Sequence, residues 1–576
     1  MPFIRRIYIQ NFRCIRSLCW HPEAGFNCLI GAGDSGKSTV LEAIDWCLSQ
    51  RYQLKVSDAD FYGMNVEQPI RISAVLGNLE PSLAERNRYG RYLNGWNAAS
   101  RELFDEPAGD LELALTLELL IDADLDPQWR LRSNRADPDE PRGVAGRQRP
   151  LLEPVRIGSY SGLHLGWQRG SILTRLTGEA ISASTALAEA SRAARASFGD
   201  AADAQLNTTL DIVRRAADQV GIRDAEGLGV ALDARAVTVS GGSLAVHDAS
   251  GVPFRNLGLG SSRLLVAELQ RAAGASAPIA LVDEVEQGLE PHRIARFLVA
   301  LGSKAAECTQ QVFMTTHSPA VLRELNASQL HVLERERTCE NGSHTVRRSD
   351  NDDHQGTLRT YADAFLGRRI LVCEGATEVG FVRGIDRYFA DARGGPSCAS
   401  EGTVPIDAHG EKNLYNSTPT FLSLNYEVAS FRDDDTGDAI RGEQEFIEKG
   451  GRLLKWPSGQ SIEDAIFTCV SAGAAVALVK YVEEDRGQAQ VRSDLAVFVK
   501  PLPPTDDWLA ALDDNKRKQL AETAGKFRWF KQTTLMEEAT YCIICPDLES
   551  SVNHVLCQTI DEVLDWAVPN RATSAP

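Results

Sequence analysis

Three features of the 576-residue sequence predict an α/β fold in two successive parts. The apolar run Phe26 to Ile30 leads into the glycine-rich loop Gly31-Ala32-Gly33-Asp34-Ser35-Gly36-Lys37-Ser38. TVLEAIDWCL follows, with apolar positions at helical spacing. A second apolar run, Ile279 to Val282, ends in Asp283-Glu284. After a polar stretch that closes near residue 356, a third compact run, Arg369 to Cys373, ends in Glu374-Gly375. Apolar strands ending in glycine-rich or acidic loops are the ligand-binding edge of a parallel α/β sheet.

The elements group into four stretches. Residues 1–175 alternate short β-like runs with one clear helix start, and 236–345 return to the same alternation. Between them, 176–235 begins Ala-rich, free of Pro to residue 220, with apolar residues at helical spacing. It reads as a pair of long helices inserted into the first part. Small residues such as Ala183, Ala186, Ala190 and Ala193 suit that insertion to dimerisation. Residues 366–576 form the second α/β unit, ending in helical elements. Ser133 to Arg149 is Pro-, Gly- and Arg-rich and reads as an exposed loop.

Composition narrows the class. A hydrophobic share of 43% and a charged share of 24% belong to a soluble globular chain, and the length implies two to four domains. Arg5 and Arg6 lead into a broken pattern rather than a signal peptide. No run reaches the roughly 18 apolar residues that a membrane span needs. A cytoplasmic protein with no membrane partner is expected. The 12 cysteines have no disulfide-framework spacing and read as reduced thiols. Cys542, Cys545, His554 and Cys557 carry donors that zinc accepts, but their spacing matches no common finger. A net charge of −18 argues against a non-specific nucleic-acid coat protein, yet leaves room for a local basic groove.

The glycine-rich loop is a complete phosphate cradle. Backbone N–H groups of Gly31, Gly33, Ser35 and Gly36 can close around the phosphates of ATP at the helix N-terminus. Lys37 reaches the β and γ phosphates, the Ser38 hydroxyl suits Mg²⁺, and Thr39 completes the site. Asp283, at a strand's carboxyl end, suits the same Mg²⁺, and Glu284 suits polarising the attacking water. Leu257-Gly258-Leu259-Gly260-Ser261-Ser262-Arg263 precedes the helical run LLVAELQRAA and forms an anion site. Val312 to His317 reads as a strand ending in a histidine.

In the second part, Glu374 stands at a strand end, and Thr377 can cap a helix carrying Glu378. Glu427 to Phe431 forms the next strand and ends in Asp433-Asp434-Asp435, where aspartates two apart can turn toward one cation. A further strand, Arg452 to Trp456, precedes Gly459 to Asp464, in which Ser461 is a helix N-cap. Asp434 and Asp464 read as surface or helix N-terminal charges.

The order of these motifs carries a resemblance. Phosphate loop, Gly258–Ser262, Asp283-Glu284 and His317 resemble, in that order, the P-loop, signature loop, catalytic acid and switch histidine of ABC ATPases. The opening RRIYIQNFRCIRSLCW is similar to the first strands of SMC-like heads. Glu286 to Pro291 takes the D-loop position, while Gln53 and Gln68 both stay open as Q-loop candidates. LVCEGATE followed by FRDDD some 60 residues later resembles a Toprim domain. Together they resemble the OLD (overcoming lysogenization defect) family of ATP-dependent nucleases, to which the nuclease subunit of Gabija anti-phage systems belongs.

The resemblance implies an ABC/SMC-like head with a helical insertion, followed by a Toprim α/β domain. It implies a two-metal site, for Mg²⁺ or Mn²⁺, built from Glu374, Glu378, Asp433, Asp435 and Glu463. It also implies a catalytic lysine near Gly525 to Lys531, with Lys531 preferred over Lys526. Double-stranded DNA, a second copy of the chain, and a helicase or other defence protein are the implied partners. An ATP-gated DNA clamp without nuclease activity is the alternative. A topoisomerase would need a tyrosine-bearing DNA-gate domain for which no room remains.

Overall fold

An antiparallel pair opens the chain: β1 (Phe3–Phe12) and β2 (Ile15–Trp20) align Ile7 with Trp20 and Phe12 with Ile15. Ile7 and Ile9 are buried while Tyr8 and Gln10 stay partly exposed, the period-2 alternation of a strand with one covered face. At the tight turn Arg13 adopts a left-handed φ of 49°, held by ion pairs to Glu42 and to Asp60, the latter at 2.9 Å. Every residue of β3 (Phe26–Ile30) is buried, as befits a strand covered on both faces. Helix α1 (Lys37–Ser49) follows.

The computed structural model describes residues 2–49, 54–137, 142–158, 161–167, 171–176, 189, 192–193, 212–213, 246–273, 278–305, 309–335, 343–349, 354–434, 439–457, 459–500, 508–509, 512–550 and 554–569. The helical insertion expected at 176–235 falls almost wholly outside the described residues, as do Gln53 and Asp435. The chain divides into two units. Met1–Leu29, Gly36–Thr316 and Arg335–Thr345 form the first; Ile30–Ser35, His317–Glu334 and Val346–Pro576 form the second.

A 13-stranded sheet incorporates β1 to β3 together with β4 (Ile70–Gly77), β5 (Leu93–Asn97), β6 (Glu102–Phe104), β7 (Glu112–Ile121), β8 (Pro127–Arg132) and β9 (Val155–Ile157). After helix α2 (Leu259–Ala273) come β10 (Ile279–Val282), helix α3 (Pro291–Ala300), β11 (Gln311–Thr315), β12 (Leu330–Arg335) and β13 (His344–Arg348). Its antiparallel wing runs β6-β5-β7-β4-β1-β2, with β8 on β7. Its parallel part runs β3-β11-β10-β9. Leu29 lies beside Thr315, and Met314 beside Val282, so these strands deliver their carboxyl ends to one edge. In the wing, fully buried Glu118 is compensated by Arg130 at 2.7 Å, Arg132 at 3.0 Å and Arg71 at 3.6 Å.

The second unit contains its own four-stranded parallel sheet: β14 (Arg369–Cys373), β15 (Thr403–Asp407), β16 (Glu427–Arg432) and β17 (Arg452–Lys455). Their order, β15-β14-β16-β17, sends the chain from β14 to one side and then to the other. The carboxyl end of β14 is therefore a topological switch point, where such sheets hold ligands. Helix α4 (Ala376–Arg393) follows β14, and α5 (Ile462–Cys469) follows β17. Beyond them lie α6 (Ala472–Arg486), α7 (Asp514–Phe527), α8 (Thr533–Ala539) and α9 (His554–Ala567). No described helix is long and apolar enough to cross a membrane.

Trp456 anchors the core behind that edge. It is fully buried, with ring centroids 5.1 Å from Phe381 of α4 and 5.2 Å from Phe431 of β16. Trp456→Ala should lower the unfolding free energy of this unit by about 3–5 kcal/mol, the usual cost of emptying a large aromatic site. Urea denaturation followed by circular dichroism measures it. A loss under about 1 kcal/mol would mean the site is not tightly packed.

Candidate functional site

Two sites take shape, one in the nucleotide motifs and one at the β14 switch point. In the first, the loop after β3 needs glycine where the chain turns: Gly31 has φ 140° and Gly36 has φ 94°. Helix α1 then begins at Lys37, which is buried. The Ser38 hydroxyl donates to Asp283 Oδ1 at 3.0 Å. Thr315 Oγ donates to the same oxygen at 2.6 Å and accepts from the Glu284 amide at 2.9 Å. A hydroxyl and a carboxylate brought into contact are chemically suited to hold Mg²⁺ beside a phosphate. Glu284 itself is exposed and takes a left-handed φ of 47°.

That acidic turn is held from below by Arg263, a fully buried guanidinium. It donates to the carbonyls of Glu284 at 3.0 Å, Gln287 at 2.6 Å and Asp283 at 3.3 Å. Burial pushes its pKa down to about 10, against the pull of Glu286, Asp283 and Glu284, so it stays charged at neutral pH. In sequence Arg263 is only the end of the LGLGSSR run, because nothing in the residue order reveals burial.

Helix α2 starts at Leu259, one turn earlier than expected, so Gly260 and Ser261 lie inside its first turn with Gly258 just before it. The run LGLGSSR thus enters the helix instead of preceding it. Ser262 closes the turn by donating to the Gly258 carbonyl at 2.8 Å. Gly260 lies against the Gly288 carbonyl, where a Cβ would come within 2.1 Å of the oxygen. The strand expected to end at His317 ends at Thr315, since Thr316 turns its hydroxyl to Glu286 at 2.7 Å. His317 is exposed, two residues beyond. Thr39 Oγ lies 3.3 Å from Cys14 Sγ.

At the second site, the Asp433 amide donates to a Glu374 carboxylate oxygen at 3.2 Å, joining the ends of β16 and β14. Asp433 Oδ1 accepts from the Ile462 amide at 2.9 Å, at the start of α5. Glu378 is buried and accepts from the Gly375 amide at 2.8 Å. Gly375, not Thr377, is the N-cap of α4; the Thr377 hydroxyl instead donates to the Phe530 carbonyl at 3.2 Å. That bond and the Trp529 indole, which donates to buried Asp494 at 3.0 Å, fix the segment before Lys531. The sequence pointed to Thr377 only as a cap and not to Asp494 at all, since their partners lie far along the chain. Lys526 lies 5.1 Å from the Phe498 ring. Ser461 caps α5, and Asp464 returns the bond to the Ser461 amide at 3.2 Å.

The electrostatics bind these groups together. Burial raises the Glu378 pKa to about 7, Lys531 opposes the rise, and Glu374 and Glu463 add to it. Burial and the carboxylates of Glu378, Glu374 and Glu463 push Asp433 well above the ordinary range. Burial likewise raises Glu463. For Lys531, burial works downward, yet Glu378, Glu463, Asp433 and Glu374 raise its pKa. Among the described residues no three His, Cys, Asp or Glu side chains stand at metal-ligand spacing. Four carboxylates share one lysine, however, and the buried Glu463 Oε1 has no hydrogen-bond partner. A hard divalent cation fits that donor set.

Asp434 departs from expectation. It is not a surface charge: it is buried, 3.2 Å from Lys455 and 3.5 Å from Arg432. Cys542, Cys545 and Cys557 are free thiols.

Known proteins match parts of this chain. Residues 3–90 match the AAA ATPase domain model, and 147–323 match the AAA domain model described with the AbiEii toxin of Type IV TA systems. The DNA replication and repair protein RecF of Chlorobium luteolum is 31% identical over 88 residues, covering 15% of this chain. The chain spans 24% of that relative's length. Among solved structures, the Smc head domain from Pyrococcus furiosus bound to the C-terminal domain of ScpA is 12% identical. It covers 62% of this chain and 99% of its own, with a TM-score of 0.34. The SMC head domain from Thermotoga maritima is 11% identical, covering 60% and 99%, with a TM-score of 0.29. The chain therefore carries an AAA-type ATPase domain, which takes ATP with a divalent metal, typically Mg²⁺.

Raised carboxylate pKa values cost stability when the groups ionise. Below the ordinary carboxylate range, about pH 4, both folded and unfolded chains hold the protons and nothing is lost. As pH rises, the unfolded chain releases them first, so stability falls until the raised folded-state pKa is passed. Metal-free Asp433→Asn, lacking the carboxyl that the fold forces to keep its proton, should melt at a higher temperature than wild type at pH 8. The gap should close toward pH 4. Scanning calorimetry in EDTA decides: an equal or lower melting temperature at pH 8 would refute the raised Asp433 pKa.

Proposed function

We propose that this protein is an ATP-controlled, metal-dependent DNA endonuclease of the OLD type, similar to the Gabija nuclease and acting in prokaryotic defence. The observation that carries the reading is the hydrogen-bonded joining of Glu374 to Asp433 and of Asp433 to the α5 N-terminus that carries Glu463, with buried Glu378 in the first turn of α4, at the β14 switch point. Asp435, the further ligand read from sequence, lies outside the described residues. Mg²⁺ or Mn²⁺ bound there would supply an activated water and stabilise a leaving oxygen. The carboxylates would hold the cations, and Lys531 would stabilise charge developing on the scissile phosphate. DNA as substrate is supported by the partial likeness to a protein named for DNA replication and repair.

In the ATPase domain, Lys37 would neutralise the phosphates, Ser38 and Asp283 would hold Mg²⁺, and Glu284 would polarise the attacking water. His317 would sense the γ-phosphate. Gly258, Gly260 and Ser261 resemble a signature loop, which in ABC ATPases meets the γ-phosphate held by a second head, and that resemblance supports a homodimer as the working form. The carboxylate site and the phosphate loop draw on different motifs, so each should be separable by mutation.

Plasmid nicking with Mg²⁺ or Mn²⁺, with and without ATP, is the direct test. Asp433→Ala should abolish nicking and leave ATP hydrolysis intact; undiminished nicking by a clean preparation would sink the nuclease assignment. Lys37→Ala should eliminate ATPase activity, whereas Glu284→Gln should bind ATP and hydrolyse it more slowly by about a hundredfold or more, of the order expected for losing a base. Wild-type turnover by Glu284→Gln would remove it from that role. Metal binding without any nicking would leave an ATP-gated DNA clamp.

A further inference from the structure

Arg432 ends β16 directly before Asp433 and points inward, with a side-chain exposure of 3%. Its guanidinium donates to the Asp433 carbonyl at 2.6 Å and to Glu443 at 2.9 Å, and lies 3.5 Å from Asp434. Both carboxylates are buried. Glu443 also accepts from the Tyr415 hydroxyl at 3.2 Å, and Lys455 closes on Asp434 at 3.2 Å. The main chain of Asp434 bonds in both directions to the loop before α5: its amide donates to the Gln460 carbonyl at 3.3 Å and its carbonyl accepts from the Gly459 amide at 2.9 Å. That loop leads straight to Ser461, Ile462 and Glu463.

The network thus joins the two segments that carry Asp433 and Glu463. Buried ion pairs are a weak source of stability, because removing charges from water cancels much of their attraction. Their planar, directional hydrogen bonds are better suited to fixing geometry. A guanidinium fork that grips the Asp433 carbonyl on one side and Glu443 on the other leaves the Asp433 backbone little freedom. The Asp433 carboxylate stands outside that network, its Oδ1 accepting from the Ile462 amide. Side chains behind a metal ligand set its orientation, and losing them typically weakens metal affinity by about tenfold to a hundredfold.

We infer that Arg432, braced by Glu443 and Asp434, is a positioning residue that aims Asp433 and Glu463 at a common divalent cation; this rests on the carboxylate site being the metal site proposed above. Lysine cannot reproduce the fork, so Arg432→Lys keeps the charge and loses the grip. Glu443→Gln keeps the shape and loses one charge, which guards against a variant that merely fails to fold.

Nucleotide-free protein should be titrated with Mn²⁺, bound ion being counted by loss of the free-ion electron paramagnetic resonance signal, with Asp433→Asn as reference. Wild type should bind, and Asp433→Asn should not. Arg432→Lys and Glu443→Gln should each weaken binding about tenfold or more. They should also raise by a similar factor the Mn²⁺ needed for half-maximal nicking, with ATP hydrolysis unchanged. Wild-type Mn²⁺ affinity in both variants, whatever their melting temperatures, would overturn the inference while leaving the nuclease reading standing. A wild type that binds no Mn²⁺, or an Asp433→Asn that binds like wild type, would overturn both.

Discussion

The second unit is organised around an electrostatic debt: Glu374, Glu378, Asp433 and Glu463 are brought together with Lys531 opposite them. Carboxylates do not crowd in a buried setting unless the surroundings force them, since each loses hydration and repels the next. The force here is hydrogen-bonded main chain. Glu374 receives the Asp433 amide, Asp433 receives the Ile462 amide, and Glu378 receives the Gly375 amide. Each acid is tied to the start or end of a different element, so the charges cannot drift apart without undoing strand or helix termini.

The aromatic core supplies the rigidity behind this. Phe431 immediately precedes Arg432 and Asp433, and Trp456 immediately follows the β17 strand, so the ring contact between them fixes two of the acid-bearing connections at their roots. The same logic places Lys531: Trp529 is locked to Asp494 and the Phe530 carbonyl to Thr377, one residue before Glu378. The connection that carries Lys531, between α7 and α8, is thereby tied to the helix that carries Glu378.

The first unit solves a comparable problem with fewer charges. Asp283 takes hydroxyls from Ser38 and Thr315, and Arg263 holds the three carbonyls of the following turn. Because β10 and β11 run parallel in adjacent register, Thr315 arrives beside Asp283 by topology alone. The strained φ of Glu284 is sustained by the Arg263 and Thr315 bonds on either side of it.

Local chemistry was legible in the residues themselves. The phosphate loop, Asp283-Glu284, Glu374 and the Asp433 run each follow a short apolar strand, and alternation of apolar run, special loop and helix is a local pattern. The parallel α/β class and the strands Phe26–Ile30, Ile279–Val282 and Arg369–Cys373 follow from it. What the residue order could not determine was which groups meet across long separations: Arg263 with the Asp283 turn, Thr377 with Phe530, Asp494 with Trp529. Asp434 is the sharpest case. Three consecutive aspartates are chemically identical in sequence, and only the pleat of β16 and the packing of Lys455 and Arg432 send the second one inward while the first turns to the α5 N-terminus. Side-chain identity sets what a residue can bind; burial and the direction of its Cα–Cβ bond, which arise only when distant strands pair, decide what it does bind.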